Sequence, residues 1–140
     1  MTRSNRLCEL HLHLYGCIRH EDLLQRLLAQ DPIDWSKYEA AYEDAYGYAS
    51  PARRIIEDGK AGGSVDGDEF KRIFEFGEAD AGNFARFTAK FGLLMVGSCI
   101  TQAIEGAQPW ANVVAEVTGV AQSIVDDQNR EGLLYAEQRL

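Results

Sequence analysis

With 140 residues, of which 46% are hydrophobic and 26% charged, the chain can bury one real core, and this balance excludes a disordered polymer. A formal charge of −8, with no clustered basic face, excludes a nucleic-acid-binding surface; Arg53 and Arg54 are neighbours, but Glu57 and Asp58 follow at once. Cys8, Cys17 and Cys99 form no CxxC pair, a poor disulfide framework that fits a reducing compartment. The basic start lacks an apolar core of signal-peptide length, and the longest mostly apolar stretch, Phe91 to Ile104, is too short to cross a bilayer. The expectation is a soluble cytoplasmic protein with no membrane partner.

In chain order, Leu7 to Tyr15 alternates strictly and predicts a strand, with Leu7, Glu9, His11, His13 and Tyr15 on one face and Cys8, Leu10, Leu12 and Leu14 on the other. Gly16 ends it. Leu23, Leu24, Leu27 and Leu28 then share one face of a helix that stops before Pro32. Ser36 with Glu39 has capping-box spacing and opens a second helix rich in Tyr and Ala. Ser50-Pro51 starts a short third helix, which Gly59 ends. Residues 59 to 67, with four glycines, read as a loop and as the most mobile segment. From Asn83 the period is helical again, with Phe84, Phe87, Phe91, Leu94 and Met95 near one face. Pro109 opens the last helix, carried by Val113, Val114, Val117, Val120, Ile124 and Val125 and ending near Gly132. Leu133 to Leu140 reads as a second strand, with Tyr135, Glu137 and Arg139 on one face.

A strand, several helices and a strand form the connection used by parallel α/β sheets and barrels. Two strands cannot close a barrel or make a buried parallel sheet. The expectation is therefore a single incomplete domain over residues 1–140, or strands that find partners elsewhere.

The feature that carries chemistry is His11-Leu12-His13. Residues two apart on a strand leave the same face, roughly 7 Å apart at their roots. Their ring nitrogens can converge on one metal, at about 2.0–2.1 Å for zinc. The same pattern also suits a solvated polar stripe on an edge strand, with Leu10, Leu12 and Leu14 turned to the core.

The flanking residues add to this. ELHLHLYG followed by EDLLQRLL resembles the opening of the adenosine deaminase family, NFARFTAKFGLLM resembles its phenylalanine-rich helix, and GLLYAEQRL resembles its second barrel strand. The three matches fall in the family's order and leave roughly residues 32 to 80 without a counterpart.

The resemblance implies an α/β fold, the N-terminal part of a TIM barrel of the metal-dependent amidohydrolase type, with the first two strands and several intervening helices. It implies zinc held in part by His11 and His13, and hydrolytic deamination of a purine nucleoside such as adenosine to inosine and ammonia. Zinc supports such chemistry by lowering the pKa of water towards neutrality. The family's third histidine, metal-binding aspartate and catalytic glutamate and histidine have no counterpart here, so no catalytic residue is assigned. His20, the one other histidine, reads as a helix-terminus residue. The chain alone is expected to be inactive, a portion of a longer enzyme.

Tyr15 stands where adenosine-specific members place a carboxylate that binds the sugar hydroxyl, which leaves the exact purine open. Phe87, Thr88 and Phe91 match positions that line the gate over the substrate, although aromatic residues at helical spacing are more often core. Tyr135, Glu137 and Arg139 read as a structural set available for internal ion pairs.

Two rivals belong to other classes. Asp58 to Glu69 faintly echo a calcium-binding EF-hand loop, but Lys60 and Gly62 stand where oxygen ligands are needed. An inactive fragment or interaction module, with wet strand faces and no metal, is the other alternative. The sequence gives no oligomeric state.

Overall fold

The structure is a computed structural model that describes residues 7–104, 106 and 109–139; side chains are described for these except at 7–14, 99, 101, 102, 134 and 136–139. The element order is β1 (Leu7–His13), α1 (His20–Ala29), α2 (Ser36–Tyr46), α3 (Ala52–Lys60), α4 (Gly67–Phe74), α5 (Phe84–Val96), α6 (Cys99–Ile104), α7 (Trp110–Glu131) and β2 (Leu133–Arg139). Short 3-10 turns at Leu14–Cys17 and Glu78–Asp80 complete it.

The expected α/β fold, the opening part of a TIM barrel, is overturned. The described residues are mostly α-helical, and their core lies between helices. A barrel or buried parallel sheet has strand side chains at its centre. Here every described core residue sits on a helix or a connecting segment: Leu23, Leu24 and Leu27 of α1, Tyr38 and Tyr42 of α2, Ile55 and Ile56 of α3, Phe70 and Ile73 of α4, Leu93 and Leu94 of α5, and Val120 and Ile124 of α7. Among the described residues, β1 and β2 pair in parallel with each other and with no third strand. Each fully buried Leu, Ile or Phe of the helical core contributes about 1.5–3 kcal/mol, so stability resides in the bundle.

Local sequence explains most helix ends. α1 stops two residues short of Pro32, and α7 runs from the residue after Pro109 to a left-handed Gly132 at φ 78°, where a Cβ would be strained. At α2 the expected cap at Ser36 is replaced: the Asp34 carboxylate accepts from the Ser36 N–H at 3.0 Å and from its hydroxyl at 2.6 Å. Ser50 accepts from the Ala52 N–H at 3.2 Å to start α3. Gly59 lies inside the last turn of α3 rather than after it; a Cβ there would fall 2.6 Å from Val65 Cγ2 and 2.7 Å from Leu28 Cδ2, so the position demands a glycine for packing.

The glycine-rich stretch is shorter than expected. Asp66 accepts from the Glu69 N–H at 2.9 Å and caps α4, whose Phe70 and Ile73 drop into the core. Lys60, out of place as a calcium ligand, ends α3, and Glu69 pairs with Arg54 at 2.8 Å. α7 is fastened to α1 by Ser123 donating to Asp22 at 2.7 Å and Arg19 donating to Asp127 at 3.2 Å. No helix among the described residues is long and apolar enough to cross a membrane.

Candidate functional site

Parallel pairing of β1 with β2 sets Leu7 beside Leu133, Glu9 beside Ala136, Leu12 beside Gln138 and His13 beside Arg139. The register slips between Glu9 and Leu12, the stretch that contains His11. Such irregularities re-aim side chains and are frequent beside binding sites. His11 and His13 thus lie on the C-terminal half of β1, while their side chains, like those of Glu137 and Arg139, fall outside the described set. Among the described residues no group of three or more His, Cys, Asp or Glu could hold a metal ion.

The 3-10 turn that follows β1 presents Tyr15, half-buried against the core. Its hydroxyl donates to Glu116 Oε1 at 2.5 Å. Ser98, buried between α5 and α6, donates to the same oxygen at 3.0 Å and accepts from the Ile100 N–H at 3.1 Å. Burial first, then the bond to Glu116, pushes the Tyr15 phenol up to about 12, so it is neutral at physiological pH.

Phe87 and Phe91 take the outer face of α5 rather than the core. Phe84 is 79% exposed, Phe87 45% and Phe91 39%, and their rings follow one another at 5.9 and 6.0 Å, with Phe76 5.9 Å from Phe87. The buried face of α5 is Ala89, Lys90, Leu93 and Leu94. On that side α5 faces α2, where a Cβ on Gly92 would stand 3.6 Å from Tyr38 Cδ2, an ordinary van der Waals distance. Thr88 returns its hydroxyl to Phe84 O at 2.9 Å within the helix. The stripe of Phe84, Phe87, Phe91 and Met95 lies along the exposed side of α5. His20 begins α1 with Nδ1 2.9 Å from Glu75 at the end of α4, an inter-helix contact, and Nε2 3.4 Å from its neighbour Glu21.

A concavity of about 650 Å³ opens between α2, α4 and the 76–80 turn, walled by Tyr42, Tyr46, Tyr48 and Phe76. Beneath it, Lys90 Nζ sits 2.8 Å from Asp80 and donates to Arg72 O at 2.8 Å and Glu75 O at 2.6 Å. Asp80 also accepts from Tyr46 at 2.7 Å and the Gly77 N–H at 2.9 Å. Burial opposes the Asp80 charge, but Lys90, Gly77 and Tyr46 outweigh it and hold the carboxyl at about 2. All three ammonium protons have partners, which makes this pair a structural post rather than a reactive group. Burial also raises the hydroxyls of Tyr38, Tyr42 and Tyr46.

Sequence reasoning missed Glu116 and Ser98. A signal existed for Glu116: it is the one charged residue in the stretch from Trp110 to Val125, and an isolated carboxylate on an otherwise apolar helix calls for a partner.

No family model, curated protein or solved structure matches the chain.

Proposed function

We propose that the chain is the part of a cytoplasmic, metal-dependent purine deaminase that contributes two metal ligands, His11 and His13, to the hydrolysis of a purine nucleoside such as adenosine. The observation that carries this reading is the parallel pairing of β1 and β2. The two segments that resemble the deaminase family, ELHLHLYG and GLLYAEQRL, are separated by most of the chain, yet they lie side by side.

The residues fit part of a zinc centre. Two histidines at strand spacing can share one ion, whereas an open catalytic zinc site uses three protein ligands. The remaining ligands and the acid–base groups are assigned to a longer product of the same gene. Zinc, when bound, would lower the pKa of the attacking water. Tyr15, directly after the ligand strand, borders the substrate, and Phe87 and Phe91 offer aromatic faces to a purine base. That this stripe is exposed rather than core supports the role, because contiguous exposed apolar surface marks binding or interaction sites.

The test is an ammonia-release assay with adenosine on the protein expressed from its complete gene. Turnover that disappears in His11→Ala and His13→Ala variants of retained fold is the expected result. A wild-type product that releases no ammonia from any purine nucleoside overturns the reading in favour of a metal-free interaction module.

A further inference from the structure

We propose that the concavity between α2, α4 and the 76–80 turn binds a small aromatic zwitterion, of which an aromatic α-amino acid is the simplest. The proposal stands apart from the deaminase reading. Except for Lys90, every residue that lines the concavity falls between 42 and 80, within the stretch that the family resemblance leaves without a counterpart.

At about 650 Å³ the space is that of a small-molecule pocket. Its back wall is fixed. The Tyr46 ring is taken up by Tyr42, stacked on it at 4.3 Å, and by the Arg86 guanidinium, 5.1 Å from its centroid. The Tyr46 hydroxyl donates to Asp80 at 2.7 Å, and Asp80 is held in turn by Lys90. The free aromatic surface belongs to Tyr48 and Phe76, 56% and 49% exposed. Each is braced by another ring at a steep angle, Tyr48 by Tyr42 and Phe76 by Phe87, both at 5.9 Å. Together they offer a planar ligand apolar surface that is already in place.

The charges around this surface decide which ligand fits. Lys90 pairs with Asp80 at 2.8 Å, Lys71 with Glu75 at 3.7 Å and Glu69 with Arg54 at 2.8 Å. Two charges of the lining are left over. The Arg72 guanidinium and the Glu78 carboxylate have no hydrogen-bond or ion-pair partner among the described residues, and they do not pair with each other. A guanidinium fork suits a carboxylate, and a carboxylate suits an ammonium. A ligand with an anionic head alone would leave Glu78 unanswered and meet the repulsion of a chain of net charge −8. A ligand with a cationic head alone would stand against an unopposed Arg72. An aromatic amino acid carries both heads without net charge, and a ring for Tyr48 and Phe76.

The experiment is titration calorimetry with L-phenylalanine on the protein expressed from its complete gene, beside three truncated probes. Phenethylamine lacks the carboxylate, N-acetyl-L-phenylalanine lacks the ammonium and L-alanine lacks the ring. The expected result is one saturable site for L-phenylalanine with a Kd of about 1 mM or tighter. Phenethylamine and N-acetyl-L-phenylalanine are each expected to bind roughly fivefold more weakly, and L-alanine at least about tenfold more weakly. Arg72→Gln is expected to weaken L-phenylalanine roughly fivefold and leave phenethylamine unchanged; Glu78→Gln is expected to weaken it equally and leave N-acetyl-L-phenylalanine unchanged. Both residues are exposed, so the variants keep the fold, which circular dichroism checks. No saturable binding of L-phenylalanine up to about 10 mM, or L-alanine binding as tightly, overturns the proposal. Phenethylamine as tight as L-phenylalanine would make this a site for organic cations, and N-acetyl-L-phenylalanine as tight would make it a site for aromatic acids; either result overturns the zwitterion. A variant that weakens every probe alike does the same, because its residue then reads no particular head. Turnover of purine nucleosides, or its absence, leaves these outcomes as they stand.

Discussion

Replacing Lys90 by Met tests the account of what holds the helices together. Methionine keeps an unbranched apolar stem of similar reach but removes the charge and all three donors. The side chains of Lys90 and Asp80 are 8% and 5% exposed and 2.8 Å apart, so solvent screens them little. Breaking a buried pair from one side costs about 3–5 kcal/mol. Here the loss also strands the carbonyls of Arg72 and Glu75, while Tyr46 and Gly77 continue to serve Asp80. The depressed carboxyl gives a second figure. A drop from 3.8 to about 2 corresponds to on the order of 2 kcal/mol for the carboxylate with all its partners. The folded pKa lies below the unfolded one, so this stability is present above about pH 4 and is lost as pH falls through about 2. Urea unfolding followed by far-ultraviolet circular dichroism, at pH 7 and between about pH 2 and 5, reads both effects. The expected results are a loss of about 3 kcal/mol or more at pH 7 and a flatter acid limb in the variant. A loss under about 1 kcal/mol, or an unchanged acid limb, would refute the reasoning.

Two further predictions follow from the packing. In alkali, the difference between wild type and Tyr15→Phe is expected to show one phenol ionising near pH 12; because its folded pKa is raised above 10.0, its contribution to stability is complete below about pH 10 and disappears as pH rises through 12, and ionisation near pH 10 would contradict the burial described. Phe87→Ser is expected to change unfolding stability by less than about 1 kcal/mol, whereas Leu93→Ala, at a site with no exposure, is expected to cost about 2–5 kcal/mol; similar losses would mean that α5 faces the other way.

What the sequence made legible was local. The leucines of α1 before Pro32, and the span of α7 between Pro109 and Gly132, are strong signals because caps and breakers act within a few residues. α4 was hidden because Gly63 and Gly67 read as loop, although Asp66 and Glu69 supplied a cap and Phe70 and Ile73 an apolar side. The buried face of α5 was left open for a different reason. Periodicity says which residues share a face, not which face is buried; the buried one carries Ala89, Lys90, Leu93 and Leu94. The barrel expectation failed on the same ground: the order strand, helices, strand does not specify what the helices pack on. At the site, His11-Leu12-His13 and Tyr15 could be picked out as residues, but the clamp from α7 and the α5–α6 junction could not, because contacts across such separations depend on the fold. Glu116 left only its isolation as a trace.

Zinc stoichiometry on the protein expressed from its complete gene, beside its His11→Ala and His13→Ala variants, tests the central claim most directly. The account predicts about one zinc per chain in the wild type, a much weaker hold in each variant, and adenosine turnover that falls with the metal. Equal metal content in all three proteins, or none in a folded wild type, would contradict it.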